Sequence, residues 1–234
     1  KKILHKNIPK ELISRFIQSI IYENKDFIII NKWTNVVTQG VSKISISIDD
    51  IIKKISKDYN LVHRLDKETS GLLILAKNLL ITKLFCKLFK EQKIKKIYVA
   101  VCQGVPKNLD SIVKLNIVNK KNPSKSDQSI TKYKVLKNKN KLSIILFSPL
   151  TGKTHQLRIV SKHLGCPIIG DIKYNKQKKY NLEKLKLNAY YLQFIIKNKK
   201  YEFKSKLPNH FNEFLAKNEI STIIDNNLSH ILNS

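Results

Sequence analysis

A chain of 234 residues with 45 Lys+Arg against 17 Asp+Glu carries a formal charge of +28 at neutral pH, an excess that favours a polyanionic partner and puts nucleic acid first. Hydrophobic content of 42%, with nine Phe and nine Tyr, is that of a packed domain and excludes a disordered chain. No apolar run approaches the ~20 residues that a membrane-spanning helix needs.

An anionic membrane surface is the competing partner, but neither end offers a long amphipathic basic helix. Part of the charge is lysine used generally on solvated surface. Cys86, Cys102 and Cys166 lie far apart and form neither a CxxC nor a zinc set with the six histidines. A reducing cytoplasm and no structural metal are expected.

Residues 1–18 are basic, weakly patterned and interrupted by Pro9; they read as a linker or arm, with no apolar core of a signal peptide. Residues 20–32 read as a strand, a polar turn and a second, fully buried strand ending Asn31-Lys32. Ile48, Ile51, Ile52 and Ile55 have helical spacing behind Asp49 and Asp50. Asn78 can cap a helix running to about Lys90, whose Leu80, Ile81, Leu84, Phe85 and Leu88 make one apolar core stripe. A strand over 94–101 ends at Gly104 and Pro106, and 118–129 form a basic, polar loop. Strands follow at 130–136 and 142–147. Thr154 is placed to cap a helix through Leu157, Val160 and Leu164, stopped by Gly165, with Arg158 near its first turn. Strands near 190–197 and 200–204 and a helix near 209–217 complete the domain, and 219–234 read as a peripheral tail.

The densest stretch is His63-Arg64-Leu65-Asp66-Lys67-Glu68-Thr69-Ser70-Gly71. In an extended segment residues i and i+2 share a face, so Arg64 and Asp66 look the same way, with a Thr-Ser-Gly turn closing behind them. Alone, this is also the pattern of a surface ion pair beside an Asx turn. Arginine is scarce, being found only at Arg15, Arg64 and Arg158, where its planar fork can do what lysine cannot. The six glycines (Gly40, Gly71, Gly104, Gly152, Gly165, Gly170) fall at turns beside candidate site segments.

Gly152-Lys153-Thr154 is not a phosphate-binding loop, because Phe147 stands where its first glycine belongs. Glu68 likewise excludes a nucleophile elbow at Ser70, and no HExxH is present. What remains is one aspartate flanked by an arginine, a tyrosine on a later strand, and another arginine on a helix.

On these residues the chain resembles the RluA-type pseudouridine synthases. His63 to Leu73 is similar to the family signature HRLDxxTSGLL, the strand Lys95 to Ala100 to its second motif, and Gly152 to Arg158 with Gly165 to Asp171 and Tyr174 to its third. The likeness runs from about Ile20 to Pro208. Departures are Trp33 where proline is usual, Asn188 where histidine often precedes Ala189, and Lys153 for the common arginine.

The resemblance implies isomerisation of uridine to pseudouridine in RNA, on a flipped-out base, without a cofactor or metal. It implies that Asp66 is the nucleophile, at C6 of the base or C1′ of the ribose. Arg158 would keep it ionised and oriented. Tyr98 would stack on the uracil and help remove the C5 proton, and Arg64 would fill the space the base leaves. His63, Lys153 and His155 are expected at the RNA, with His155 also readable as a structural histidine and Lys153, like the lysines of 118–129, equally as solvated surface. Thr69, Ser70, Gly71, Gly152, Thr154, Gly165 and Gly170 are expected to support the turns. The implied fold is α+β, a mixed, largely antiparallel sheet with flanking helices over residues 19–218, following an upstream S4 RNA-binding domain. The expected protein is a cytoplasmic monomer acting on 23S ribosomal RNA. Transfer RNA, or a non-catalytic ribosomal-RNA-binding role on the same fold, are the alternatives.

Overall fold

Apolar runs in this sequence become strands buried on both faces, and the helices cover them. The computed structural model describes residues 7–40, 45–118, 125–220 and 224–233 and divides into two units, Lys1–Lys93 and Ile94–Ser234.

In the first unit, β1 (Ile20–Glu23), β2 (Phe27–Lys32) and β4 (Ser70–Ala76) pair antiparallel in that order, and the two-residue β3 (Asn60–Leu61) also pairs with β4. Asn24 Oδ1 accepts the Asp26 and Phe27 N–H groups at 2.8 Å and so sets the β1–β2 turn. All seven residues of β4 are buried; burying each Leu or Ile side chain contributes roughly 1.5–3 kcal/mol. Helix α2 (Ile48–Ile55) starts on a reciprocal Ser47–Asp50 capping box. Asn78 caps α3 (Leu79–Lys90) through Ile81 N–H, as its sequence foretells.

The first helix is a departure from the expected arm: Lys10–Gln18 form α1, which buries Phe16 to 1% exposure. Pro9 does not interrupt this helix but precedes it, where a missing N–H costs nothing.

The second unit is a six-stranded antiparallel sheet in the order β10-β9-β5-β8-β7-β6. The ranges are β5 (Lys95–Gln103), β6 (Asp110–Val118), β7 (Ser126–Lys139), β8 (Leu142–Pro149), β9 (Leu187–Ile196) and β10 (Lys199–Lys204). Strand β6 is unforeseen because its apolar residues lie on both faces, with Ile112 and Val118 more than half exposed. The expected loop over 118–129 is correspondingly shorter: β7 begins at Ser126, and 119–124, with Lys120 and Lys121, lie outside the described residues.

Alternation along β5 and β8 supplies two cores. Ile97, Val99, Val101, Ile144 and Leu146 pack with Phe211 and Phe214 of α5 (Asn209–Lys217). Ile220, Ile224, Leu228 and Ile231 join that core, the last two from α6 (Leu228–Asn233). The stretch expected to be a peripheral tail is therefore core-forming. On the opposite face Ala100, Cys102, Ile145 and Phe147 pack with Leu157 and Val160 of α4 (Gln156–His163). Among the described residues no helix is long and apolar enough to cross a membrane.

Candidate active site

Asp66 lies in an extended loop between β3 and β4. Leu65 is buried while Arg64 is exposed and Asp66 half-buried, the alternation that turns Arg64 and Asp66 to one side. Thr38 holds this geometry. Its buried hydroxyl donates to the Leu65 carbonyl at 2.7 Å and accepts the Leu65 N–H at 3.1 Å, standing in for a neighbouring strand. The Asp66 carbonyl accepts the Thr69 N–H at 3.2 Å. The turn is thus Asp66 to Thr69, three positions before the expected Thr-Ser-Gly; Ser70 and Gly71 already belong to β4, and both Thr69 and Ser70 are buried.

Beneath this loop is a buried lysine. Lys32, at the end of β2 opposite Gly71, has no exposed surface. Its ammonium donates to the carbonyls of Trp33 and Val36, both at 3.0 Å, and of Lys67 at 3.3 Å. Burial pushes it down to about 7, against the opposing pull of the Asp66 and Glu68 carboxylates. His63, expected at the RNA, has a role inside the fold: its Nε2 accepts the Ile74 N–H at 2.9 Å, and its ring packs 4.8 Å from that of Phe89. An accepting Nε2 carries no proton, so the neutral ring has its hydrogen on Nδ1.

In the second unit Tyr98 and the Arg158 helix share one face of the sheet. Tyr98 is half-buried and packs against the cluster that contains Leu157 and Val160 of α4. The β5–β9 register shifts between Ile97 and Tyr98, a bulge of the kind that re-aims a side chain. Neighbouring Asn188 is buried and accepts a 2.6 Å hydrogen bond from Ser205.

Arg158 is the third residue of α4 and is 6% exposed. Asp171, fully enclosed, takes its Nε–H and one Nη2–H on separate oxygens, each at 2.7 Å. Asp171 Oδ1 also accepts the N–H groups of Lys173 and Tyr174, and the Tyr174 ring lies 5.3 Å from the guanidinium carbon. The Tyr174 hydroxyl meets His155 Nδ1 at 3.0 Å.

Thr154 does not cap α4. His155 occupies the cap position in a left-handed conformation, φ +56°, uncommon for a residue with a side chain. The turn is organised by Gln156. Its Oε1 accepts from the Thr151 hydroxyl and the Lys153 N–H, and its Nε2 donates to Ile130 O and Thr131 Oγ1. Lys153 Nζ lies 3.6 Å from Asp127. Gly165 ends the helix at φ +73° as expected, whereas Gly152 has open space around it.

A model of the RNA pseudouridylate synthase family matches residues 26–163. The chain is 41% identical over 209 residues to "Ribosomal large subunit pseudouridine synthase C" of Rickettsia bellii, covering 82% of this chain and 69% of that one. The chain belongs to the RNA pseudouridylate synthase family. "Ribosomal large subunit pseudouridine synthase D" of Borreliella burgdorferi is 32% identical over 235 residues, 89% of this chain and 72% of that one. In fold, this pseudouridine synthase is similar to "Human RNA Pseudouridylate Synthase Domain Containing 4", with a TM-score of 0.81 over 91% of this chain and 97% of that one at 24% identity. The α+β, largely antiparallel architecture is the expected one, and the enzyme is an RNA-modifying isomerase.

Lys32, Thr38, Asp171, Tyr174 and Gln156 were not among the expected site residues. Asp171, Tyr174 and Gln156 stand inside the third motif, where the only signal was their closeness to Arg158. Nothing periodic marks Lys32 or Thr38, whose ties to the Asp66 loop, to Lys67 and Leu65, span 35 and 27 positions.

Proposed function

We propose that this pseudouridine synthase isomerises specific uridines of large-subunit ribosomal RNA, with Asp66 as the nucleophile. The Asp66 carboxylate forms a transient bond to C6 or C1′, the N1–C1′ bond breaks, the uracil turns, C5 bonds to C1′ and the bond to Asp66 is released, and the C5 proton leaves as N1 gains one. Tyr98 stacks on the base and assists the C5 proton transfer. Arg158, held by Asp171, supplies a fixed positive charge to the reaction. Arg64, exposed and turned to the same side as Asp66, enters the space vacated by the flipped base. Lys153 and His155 contact the RNA backbone.

The observation that carries this reading is a buried arginine fixed through two 2.7 Å hydrogen bonds, on the sheet face that also presents Tyr98. The Rickettsia and Borreliella relatives, both named as synthases of the ribosomal large subunit, support the ribosomal substrate. The net charge of +28 suits an RNA partner.

The test is a pseudouridine map of unmodified ribosomal and transfer RNA after incubation with the wild-type enzyme or Asp66→Ala. New pseudouridines in large-subunit RNA, made by the wild type alone, are expected, with RNA binding retained in the variant. Modification confined to transfer RNA would overturn the substrate, and an active Asp66→Ala enzyme would overturn the nucleophile.

A further inference from the structure

Trp33, the single tryptophan of the chain, follows Lys32 directly. Its carbonyl and that of Lys67 are held by the same ammonium, at 3.0 and 3.3 Å, and the Asn35 N–H donates to Lys67 O as well. Trp33 is thereby tied to the residue that follows Asp66. The residue is only half-buried, leaving part of a large aromatic surface in contact with water.

Arg15, on the exposed side of α1, lies over the indole with its guanidinium carbon 4.9 Å from the ring centroid. The contact could serve only to fasten α1. That helix, however, is already anchored by Phe16 at 1% exposure. Moreover, Arg15 is one of three arginines in a chain that otherwise uses lysine for positive charge. An aromatic face paired with a planar cation is the combination that grips single-stranded nucleic acid: the ring stacks on a base and the cation meets a phosphate.

We propose that Trp33 and Arg15 form an RNA-contact site beside the Asp66 loop, in which Trp33 stacks on a nucleobase near the target uridine and Arg15 pairs with the adjoining phosphate. This rests on the reading of the enzyme as acting on RNA through Asp66.

Trp33 reports on itself. A synthetic hairpin RNA with an unpaired uridine loop is titrated into the full chain. Tryptophan emission is followed alongside the anisotropy of a label on the RNA, and heparin serves as a polyanion without bases. RNA is expected to quench the emission with the same midpoint as the anisotropy change, and heparin is expected to leave it nearly unchanged. Trp33→Ala and Arg15→Gln should each weaken RNA binding by about fivefold or more, the low end for one stacked base. Arg15→Gln, on an exposed helix surface, serves even where Trp33→Ala fails to fold. RNA that binds without altering the emission, or heparin that quenches equally, overturns this site and leaves the proposed activity standing. RNA that does not bind at all overturns both.

Discussion

Asp171 holds the Arg158 guanidinium side-on, through Nε and Nη2 at 2.7 Å each, in a setting where both side chains are almost wholly excluded from water. A buried pair of this kind fixes direction more than it adds stability, because both ions have given up hydration. Breaking it from one side is costly. Asp171→Asn keeps an oxygen for the Lys173 and Tyr174 N–H groups but removes the charge opposite Arg158. It is expected to cost about 3 kcal/mol in urea unfolding. With the guanidinium no longer aimed, kcat for pseudouridine formation should fall by about 100-fold, the scale of a 1 Å misplacement, while RNA affinity stays near wild type. Wild-type turnover in Asp171→Asn would remove Asp171 from the mechanism.

Lys32 predicts a particular pH dependence of stability. Its folded value is about 7 against an ordinary 10.5. Below pH 7 both folded and unfolded chains bind the proton, so the full cost of burying the charge is in place. Between about 7 and 10.5 only the unfolded chain binds it, and stability rises with pH. Lys32→Met has no such term but takes the ammonium donor from the Trp33 and Val36 carbonyls, while Lys67 O keeps the Asn35 N–H. The stability of the wild type over Lys32→Met is therefore expected to widen by roughly 2 kcal/mol from pH 7 to 9, measured by urea midpoints at each pH. All other lysines are common to both proteins and cancel. Parallel curves would mean that Lys32 is not held near 7.

What the sequence made legible was local. The Asn78 cap, the α3 stripe of Ile81, Leu84, Phe85 and Leu88 (Leu80, expected in it, is 72% exposed), the Gly165 stop and the Arg64–Asp66 alternation each sit within a few residues of their cause. The parts that stayed hidden depend on distant partners. Thr38 acts on Leu65, 27 positions on, and Lys32 on Lys67, 35 positions on; neither leaves a periodic trace. Helix α1 was obscured because Pro9 resembles a breaker and only Phe16 of the helix is buried. Glycine was an imperfect guide. The tight turns at Asn140-Lys141 and Lys197-Asn198 adopt positive φ without it, while Gly152 occupies a place where nothing demands it.

Thr38 is expected to be a positioning residue for the Asp66 loop. Thr38→Val keeps the volume but leaves the buried N–H and C=O of Leu65 without their hydroxyl partner, at a cost of about 2–3 kcal/mol. Thr38→Ser restores the hydroxyl and should recover most of that loss. If the hydroxyl is what keeps Asp66 extended, kcat falls in Thr38→Val and returns in Thr38→Ser, with little change in RNA affinity. Equal behaviour of the two variants would show that the methyl group, not the hydroxyl, matters here.

Two glycines flanking α4 should respond oppositely to the same substitution. Gly170 has φ +77°, and a Cβ there would sit 2.4 Å from the Lys184 carbonyl oxygen, a backbone atom that cannot swing away. Gly170→Ala therefore combines left-handed strain with a clash, and a loss of at least about 2 kcal/mol is expected, or more than about 4 °C in melting temperature. Gly152→Ala meets nothing within 4 Å and restricts only the unfolded chain, so stability should be unchanged or rise by up to about 1 kcal/mol. Thermal melts of the two variants side by side decide it. A neutral Gly170→Ala would show that the 170–171 turn, which presents Asp171 to Arg158, can relax, and the rigidity ascribed to that ion pair would then have to come from α4 alone.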